Sequence, residues 1–217
     1  MTLLKPKAIL FDWDNTLVDS WTVIFDALNF TLESFGKEPW SITKTKTRVS
    51  KSLRDSFPDL FGEKWEKAAE IFYRRFDDIH ISRLKPSEGA QKMLSDIFKQ
   101  DIFMGVVSNK RGDYLRKEVC HLGWDKYFSS LVGATDAEND KPSPEPVALA
   151  LSGCGHKSGS QIWFVGDANI DMECAYSADL TPVLLRKTPP SDGEFTEYPP
   201  AFHIMDCQAL SNLVKKM

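Results

Sequence analysis

The amino-acid sequence predicts an α/β protein built on a parallel β-sheet that carries helices on both faces. Short, continuous apolar runs recur along the chain, and such runs are typical of strands covered on both faces. Between them lie segments with apolar residues at helical spacing, and strands that alternate with helices form parallel sheets. One long helical segment interrupts this alternation directly after the first run.

Four apolar runs are clear strand candidates, and a fifth is short. They are Ala8 to Phe11, Ile102 to Val107, Gln161 to Val165, Leu180 to Leu185 and, as the short one, Phe202 to Met205. The first three lead into Asp12, Ser108 and Gly166-Asp167. Because ligands of such sheets bind beyond the carboxyl ends of the strands, these polar residues locate the expected active site.

Helices are predicted between the runs. Glu88 to Lys99 has apolar residues at helical spacing, whereas Arg111 to Leu122 and Pro144 to Ser152 are each followed by a glycine that is typical of a helix end. Residues 20–83 depart from the alternation, with helices expected at Trp21 to Phe35, Thr45 to Ser56 and Lys64 to Ile81. We therefore predict a core domain of residues 1–19 and 84–217 and a helical cap domain of residues 20–83.

Composition restricts the class of protein. The 217 residues include 27 Lys plus Arg against 31 Asp plus Glu, a net charge of −4, so the basic excess of a nucleic-acid-binding protein is absent. The four cysteines lack CxxC spacing and are expected to be buried free thiols. The first apolar run is far too short to cross a membrane, and we expect a cytoplasmic protein without a membrane partner. The sequence leaves the oligomeric state unknown.

The segment from Asp12 to Thr16 (DWDNT) carries the sharpest chemical pattern. In an extended chain residues two apart point to the same side, so Asp12 and Asp14 can face one pocket. One carboxylate there can attack phosphorus while the other donates and later accepts a proton. A solvated turn after a strand has the same composition, so this pattern alone does not identify a site.

A second acidic pattern, Gly166 to Asp171 (GDANID), follows the third clear run. A helix that starts here brings Asp167 and Asp171 to one face, where carboxylate oxygens suit Mg²⁺. Ordinary helix capping by Asp167, with Asp171 in the first turn, is the alternative interpretation.

Two weaker patterns complete the set. Ser108 and Asn109, with backbone N–H groups that open a helix, can hold phosphate oxygens, although a simple helix cap looks the same. Lys141, which precedes two closely spaced prolines, can neutralise charge between a nucleophile and a phosphate, although alone it reads as an exposed loop lysine. All four patterns lie at or just beyond the expected edge of the sheet, and this conjunction favours a phosphoryl-transfer site.

Taken together, these motifs resemble the haloacid dehalogenase superfamily in its phosphatase branch, and the chain is similar to phosphoglycolate phosphatase-like members over nearly its whole length. The resemblance implies a Rossmann-like core with a helical cap inserted after the first strand. It also implies Asp12 as nucleophile and metal ligand, and Asp14 as general acid and base with its backbone carbonyl on Mg²⁺. It implies that Ser108 and Lys141 bind the transferring phosphoryl group. Asp167 and Asp171 complete the implied metal site, Asp171 directly or through water.

Three positions depart from the pattern of the family. Asn15 and Asp179 stand where such phosphatases often have glycine, and Trp13 stands where a smaller aliphatic residue is usual. The chemical roles stay filled, but no particular substrate follows. We predict a Mg²⁺-dependent phosphomonoester hydrolase for a small phosphorylated metabolite, either phosphoglycolate-like or a sugar phosphate. A phosphomutase of the β-phosphoglucomutase type and a non-catalytic phospholigand-binding protein are the alternatives.

Four further residues are predicted to contact the substrate. Thr16 and Asn109 belong to the motifs, whereas Arg48 and Arg54 lie in a basic stretch of the predicted cap. Either arginine can bind a second anionic group bidentately, and the alternative is a solvated helix face.

Overall fold

A computed structural model of the chain describes residues 4–49 and 51–217. In chain order its strands are β1 (Ala8–Phe11), β2 (Val18–Asp19), β3 (Lys85–Pro86), β4 (Phe103–Arg111), β5 (Ser130–Ala134), β6 (Ile162–Gly166), β7 (Thr181–Leu185) and β8 (Phe202–Ile204). Its α-helices are α1 (Trp21–Ser34), α2 (Ile42–Arg48), α3 (Leu53–Phe61), α4 (Trp65–Ile79), α5 (Ala90–Phe98), α6 (Gly112–His121), α7 (Glu145–Leu151), α8 (Asn169–Ser177) and α9 (Cys207–Lys215).

The chain divides into two compact units. The larger comprises residues 1–18 and 86–217, and the smaller comprises residues 19–85. The boundaries lie within β2 and β3, which form a two-stranded sheet of their own.

The larger unit is built on a six-stranded parallel sheet with the order β5-β4-β1-β6-β7-β8. From β1 the chain first forms β4 and β5 on one side, and it then forms β6, β7 and β8 on the other. The direction of winding therefore reverses at β1, and in open α/β sheets ligands bind at such a point. The predicted fold class, a Rossmann-like α/β core, is confirmed.

Helices α7 and α8 pack on one face of this sheet. Their apolar residues share a core with alternate residues of β1 and β6, among them Ala8, Leu10 and Phe164, which are fully buried. The alternation follows from the pleat, which sends every second side chain to the same face. Helix α5 packs against α9. Because the sheet has buried side chains on both faces, consecutive residues of its strands are apolar instead of alternately apolar and polar.

Several boundaries differ from those predicted. Strand β4 continues to Arg111, with a register shift between Val107 and Arg111, so Ser108 and Asn109 lie within the strand and α6 opens only at Gly112. The prediction that these two residues open a helix is therefore wrong. Strand β5 and helix α9 were not predicted from the sequence. The chain from Ser130 to Ala134 is short and contains a serine and a glycine, which weakens its apolar signal.

The smaller unit is helical and has its own core. Leu28, Leu32, Phe57 and Phe61 are among its buried residues, and the rings of Phe57 and Phe61 lie 5.0 Å apart. The basic helix expected from Thr45 to Ser56 is instead two helices, α2, which ends at Arg48, and α3, which begins at Leu53. The two predicted arginines therefore belong to different helices.

An ion-pair cluster links α1 to the end of α4 in the same unit. Asp26 accepts hydrogen bonds from Arg75 Nε at 2.6 Å and from Arg83 at 2.8 Å. The hydrogen bond from Arg75 is the main reason that the pKa of Asp26 lies below its usual range. These contacts fix two helices that are far apart in sequence.

All four cysteines are free thiols. Cys174 and Cys207 are buried as predicted, whereas Cys120 is exposed and Cys154 is half-buried, so the prediction of burial is wrong for these two. Among residues 4–49 and 51–217, no helix combines the length and the apolar character that a membrane span requires.

Candidate active site

The carboxyl ends of three neighbouring strands bring the predicted motifs to one edge of the sheet. In the parallel register Phe11 of β1 pairs with Val106 of β4 and with Val165 of β6. Asp12 comes directly after Phe11, and Asp167 comes two residues after Val165. Two motifs more than 150 residues apart in sequence are therefore neighbours because their strands are adjacent.

Lys141 lies at the centre of the cluster, where it joins Asp12 to Asp171. Its Nζ is 2.6 Å from Asp12 Oδ1 and 2.8 Å from Asp171 Oδ1. The three side chains are buried, with 2% of Lys141 exposed. Such contacts between charged groups in a buried setting are stronger than their counterparts on a surface. The loop lysine of the sequence is thus an internal cation of the cluster.

Asn109 holds the backbone of Lys141. Its side-chain oxygen accepts from the Lys141 N–H at 3.0 Å, and its side-chain nitrogen donates to the Lys141 carbonyl at 3.1 Å. This pair of bonds aligns the loop after β5 with the end of β4. The contacts make Asn109 a support for Lys141, and they lend no weight to the prediction that Asn109 binds substrate.

The turn between β6 and α8 fixes Asp171. While Oδ1 faces Lys141, Oδ2 accepts from the backbone N–H groups of Asp167 at 3.1 Å and Ala168 at 3.0 Å. Asp171 is the third residue of α8, so it satisfies N–H groups that precede the first turn of the helix. The helix cap at this terminus is therefore provided by Asp171 rather than by Asp167.

Gly166 is required for that arrangement. A Cβ at this position would lie 2.3 Å from Asp171 Cγ and 2.4 Å from Asp171 Cβ. No side chain fits there unless Asp171 moves. The glycine of the GDANID segment is thus explained by the space that the side chain of Asp171, five residues later, occupies.

Thr16 lies between two carboxylates. Its hydroxyl is 3.4 Å from Asp12 Oδ2 and 3.3 Å from Asp167 Oδ1. A hydroxyl carries one proton, so it can donate to either carboxylate but not to both at once. These contacts place Thr16 among the acidic groups, and its predicted contact with substrate stays a prediction.

Burial dominates the electrostatics of the acidic cluster. Removal from water, reinforced by the charge of Asp171, raises the pKa of Asp12 to about 7, although the ammonium of Lys141 opposes the shift. Burial and the charges of Asp171 and Asp12 likewise raise the pKa of Asp167 well above its usual range. Burial disfavours the ammonium of Lys141, but the two carboxylates more than offset it and raise its pKa. The protein alone therefore leaves an excess of negative charge here.

The donor set fits a hard divalent cation. Carboxylate oxygens of Asp12, Asp167 and Asp171 all lie within 4.8 Å of one another. Oxygen donors of this kind, with an unneutralised negative charge, are what Mg²⁺ takes from proteins. The side chain of Asp14 is not in this group. The predicted contribution of its backbone carbonyl to the metal site stays a prediction.

Asp14 instead meets a second buried lysine. Lys110 Nζ is 2.7 Å from Asp14 Oδ1 and 2.6 Å from Glu118 Oε2 on α6. Burial disfavours the ammonium, but the charges of Asp14 and Glu118 more than offset this and raise the pKa of Lys110. Trp13 Nε1 donates to the same Glu118 Oε2 at 2.6 Å. The aromatic residue that departs from the family pattern is thus fully buried and hydrogen-bonded.

Sequence reasoning missed Glu118, although a signal was present. On α6 it lies three residues after Leu115 and next to Val119, both of which are buried. A carboxylate on the apolar face of an amphipathic helix needs a buried partner, because an unpaired buried charge is very costly. That position could have directed attention to Lys110 and Trp13.

The departures at Asn15 and Asp179 have a backbone explanation. Their φ angles are 65° and 58°, in the left-handed region where glycine is favoured and where Asn and Asp are tolerated best among other residues. The conformation that glycine commonly provides at these positions is therefore preserved.

The remaining predicted site residues are more scattered. Ser108 is buried near the end of β4, and its Oγ accepts from the Lys110 N–H at 3.1 Å. Arg48 belongs to α2 and Arg54 to α3 in the smaller unit, and the Arg48 guanidinium lies 5.6 Å from the centre of the Trp40 ring. The roles assigned to these residues stay predictions.

The parallel sheet, with its buried cluster of charged side chains at one edge, defines a protein of the α/β class with a candidate active site at that edge. Comparison with known proteins is more specific, since the sequence model of the haloacid dehalogenase-like hydrolases matches residues 9–184. The chain belongs to this family. The prediction of a phosphatase of the haloacid dehalogenase superfamily is confirmed at the level of family and enzyme class.

Relatives agree with this assignment. The chain is 28% identical over 170 residues to the pyrophosphatase PpaX of Halalkalibacterium halodurans, and this alignment covers 78% of each protein. It is 30% identical over 180 residues to a phosphoglycolate phosphatase of Aquifex aeolicus, covering 79% of this chain and 81% of the relative. A haloacid dehalogenase-like hydrolase from Streptococcus pneumoniae has the same fold, with a TM-score of 0.82 at 18% identity over 98% of this chain and 99% of the other.

Proposed function

We propose that this protein is a Mg²⁺-dependent phosphomonoester hydrolase that cleaves a small phosphorylated metabolite through an aspartyl-phosphate on Asp12. The contact of Lys141 Nζ with Asp12 Oδ1, at 2.6 Å, carries the proposal. A buried ammonium held against a buried carboxylate favours the ionised form, in opposition to the effect of burial, and it orients the carboxylate as a nucleophile requires. The same ammonium is available to the negative charge of an incoming phosphoryl group.

The residues divide the reaction into two steps. A carboxylate oxygen of Asp12 attacks phosphorus, the bond to the leaving oxygen breaks, and Asp14 gives that oxygen a proton. Water then attacks the phosphorus of the aspartyl-phosphate and gives a proton to Asp14. The bond between phosphorus and the Asp12 oxygen breaks, so inorganic phosphate is released and the Asp12 carboxylate is restored. Asp14 thus acts first as an acid and then as a base, a division that suits two carboxylates in different environments.

The metal would be held by Asp12, Asp167 and Asp171, together with the backbone carbonyl of Asp14. When bound, Mg²⁺ supplies positive charge to the phosphoryl oxygens and to the crowded carboxylates. Support comes from the raised pKa values of Asp12 and Asp167, which mark the charge that a cation would relieve. Within the proposal, the Ser108 hydroxyl donates a hydrogen bond to a phosphoryl oxygen.

The test is phosphate release from a panel of phosphorylated compounds by the purified protein. The panel includes phosphoglycolate, inorganic pyrophosphate, sugar phosphates and nucleotides, and each assay is run with EDTA and with Mg²⁺ restored. We expect EDTA to stop turnover and Asp12→Asn to abolish it, with circular dichroism unchanged. The exposed Asp192→Asn variant is the matched control and should retain full activity.

Three outcomes would contradict the proposal. They are activity that is indifferent to chelation, appreciable turnover by Asp12→Asn, and conversion of a hexose 1-phosphate to its isomer without phosphate release when a trace of bisphosphate is added. The last result would identify a phosphomutase. Binding of phosphorylated compounds without any turnover would identify a phospholigand-binding protein.

The proposed substrate class is a compound with a second anionic group. The two named relatives act, by their names, on pyrophosphate and on phosphoglycolate, and both compounds carry such a group. Arg48 and Arg54 are the residues proposed to bind it. We expect Arg48→Ala or Arg54→Ala to raise KM for the best anionic substrate about 10-fold, as loss of a charge-assisted hydrogen bond does.

The matched control is Arg74→Ala, which removes another exposed arginine from the smaller unit. An unchanged KM in both Arg48→Ala and Arg54→Ala would show that the basic stretch is a solvated surface. A KM that also rises in Arg74→Ala would indicate a general effect of charge rather than a specific contact.

A further inference from the structure

Lys110 is a buried cation that the reaction described above does not use. We propose that Lys110, held in turn by Glu118 and Trp13, is a positioning residue that holds the Asp14 carboxyl group through Oδ1 and thereby orients Oδ2 for proton transfer. The inference rests on the proposed function, since it assigns a support to the acid and base of that reaction. The contacts with Asp14 Oδ1 and Glu118 Oε2, at 2.7 and 2.6 Å, are its basis.

The argument begins with the donor. A lysine ammonium carries hydrogen-bond donors and no acceptor, so the oxygen that faces it must accept. Oδ1 is engaged as the acceptor, which leaves proton transfer to the other oxygen, Oδ2. Lys110 therefore selects one of the two oxygens of Asp14 for proton transfer.

Glu118 explains why Lys110 stays in place. Lys110 has 5% of its side chain exposed and Glu118 has 1%, so each is a charge that the interior tolerates only with a partner. Trp13 Nε1 supplies a second donor to Glu118 at 2.6 Å, and the Trp13 ring packs edge-on against Trp124 at 5.8 Å between centroids. Trp13, itself packed against Trp124, thus helps to hold the Glu118 carboxylate that Lys110 contacts.

Asp14, Lys110, Glu118 and Trp13 form a network whose charge balance suits a supporting role for Lys110 and Glu118. Lys110 and Glu118 together are neutral, so they offer Asp14 a directed donor without adding net charge to the site. Asp14 itself has 19% of its side chain exposed, against 5% for Lys110. Asp14 can therefore reach a leaving group or a water molecule, whereas the two residues behind it are enclosed.

Local structure places the network at one point of the larger unit. Lys110 lies in the part of β4 where the register with β5 shifts, and Glu118 lies two turns into α6, the helix that follows. Trp13 and Asp14 are consecutive residues after β1. The side chains of Lys110 and Glu118 thus meet the two residues that follow the proposed nucleophile.

A dependence on the leaving group distinguishes this role from a purely structural one. An acid catalyst is needed when the leaving oxygen is a poor anion, as in an alkyl phosphate, and it is nearly superfluous for p-nitrophenyl phosphate, whose phenolate is stable. The measurement is the single-turnover rate at which the aspartyl-phosphate forms, trapped by acid quench, with each of the two substrates in the presence of Mg²⁺. This rate isolates the step in which Asp14 gives up its proton.

We expect Lys110→Met to slow aspartyl-phosphate formation from the alkyl phosphate by about 30- to 100-fold, and from p-nitrophenyl phosphate by less than about 3-fold. Methionine keeps the length of the side chain but cannot donate. The matched control is Lys92→Met, which removes an exposed lysine paired with Asp96, and it should leave both rates unchanged.

Equal slowing with both substrates, or no slowing with either, would overturn the inference while leaving the proposed function intact. If wild-type protein forms no aspartyl-phosphate, the proposed function fails and the inference fails with it. If circular dichroism shows that Lys110→Met is unfolded, Glu118→Gln decides the question, because glutamine keeps an acceptor for both donors but leaves the Lys110 charge unbalanced. We expect that variant to show a smaller loss, about 5-fold, confined to the alkyl phosphate; a loss shared by both substrates would overturn the inference.

Discussion

At the scale of single residues, the site concentrates carboxylates around Lys141. Asp12, Asp167 and Asp171 lie close together, and the ammonium of Lys141 contacts two of them. Burial is the first cause of the raised pKa of Asp12, because the charged form loses its hydration, and the neighbouring carboxylates reinforce the shift. The metal-free protein therefore holds an unfavourable charge near neutral pH, and this has a measurable effect on its stability.

The first prediction concerns the stability of the protein in EDTA as a function of pH. The pKa of Asp12 is about 7 in the folded protein and ordinarily 3.8, so between these values the folded state binds a proton that the unfolded state does not. Folding is then favoured as pH falls, and the contribution is lost as pH rises through about 7. Thermal unfolding from about pH 5 to about pH 8 should show a steeper decline for wild type than for Asp12→Asn.

The informative quantity is the difference in unfolding free energy between wild type and Asp12→Asn at each pH, because the contributions of the other titrating groups cancel in it. It should be on the order of a few kcal/mol across this range, as expected for a shift of about three pKa units. Parallel profiles for wild type and Asp12→Asn would show that Asp12 ionises in the folded protein as it does in water.

At the scale of elements, the turn from β6 into α8 shows how local packing builds the proposed metal site. Gly166 closes β6, and the Asp171 side chain occupies the space where a Cβ would lie. Asp171 in turn accepts from the backbone N–H groups of Asp167 and Ala168. One carboxylate therefore serves both as a helix cap and as a member of the acidic cluster.

The second prediction follows from that turn. Gly166→Ala should displace Asp171, since contacts at 2.3 to 2.4 Å cannot be kept. We expect phosphate release to fall at least about 100-fold, because misplacement of a proposed ligand by about 1 Å has effects of this size. The increase in melting temperature on adding Mg²⁺ should also shrink, because this increase depends on affinity for the folded state.

Gly153→Ala is the matched control for this substitution. A Cβ at Gly153 has no heavy atom within 4 Å, and the backbone there is not left-handed. Both activity and the response to Mg²⁺ should be unchanged. Normal activity in Gly166→Ala would mean that Asp171 can move without consequence.

The end of α8 shows a second use of local geometry. The Leu180 N–H bonds to the Ala175 carbonyl, and the Asp179 N–H bonds to the Tyr176 carbonyl, which together form a Schellman motif. Asp179 is left-handed at φ 58°, as the motif requires. Leu180 and Ala175 belong to the same apolar cluster, so the turn directs the chain from α8 into β7.

At the scale of the whole molecule, the chain forms two units with separate cores. The larger is organised around the parallel sheet, and the smaller, residues 19–85, has a core rich in aromatic residues. Phe57 is 4% exposed, and its ring lies 5.0 Å from Phe61 and 5.6 Å from Phe72. Each unit should therefore respond by itself to damage in its own core.

The third prediction tests this separation. Phe57→Ala removes a buried ring, a change that typically costs about 3–5 kcal/mol. We expect amide hydrogen exchange, followed by mass spectrometry, to accelerate within residues 19–85 and to stay slow in peptides from β1 and β6.

Phe30→Ala is the control, because Phe30 is 46% exposed in the same unit and its loss should have little effect. Uniform acceleration over the whole chain in Phe57→Ala would show that the two units unfold as one.

From the sequence alone, the class of fold, the family and most of the side chains that cluster in the candidate site could be predicted. Apolar strands without alternation require cover on both faces, and motifs at their carboxyl ends must share an edge once the strands are parallel. These are local regularities, so Asp12, Asp167 and Asp171 could be predicted as a cluster from spacing and from the order of the strands. Strand β5 escaped prediction because its signal is short and weak.

The pairing of the charges became visible only in the folded structure. Taken by itself, Lys141 reads as an exposed loop lysine, and the set of motifs assigned it to the site without naming its partners. In the structure its backbone is bound by Asn109 and its ammonium is buried between Asp12 and Asp171. The partnership of Lys110 with Glu118 likewise depends on the packing of α6 against the end of β4. Burial and long-range pairing are properties of the folded chain, because the free energy of a buried charge depends on partners that no local window of sequence contains.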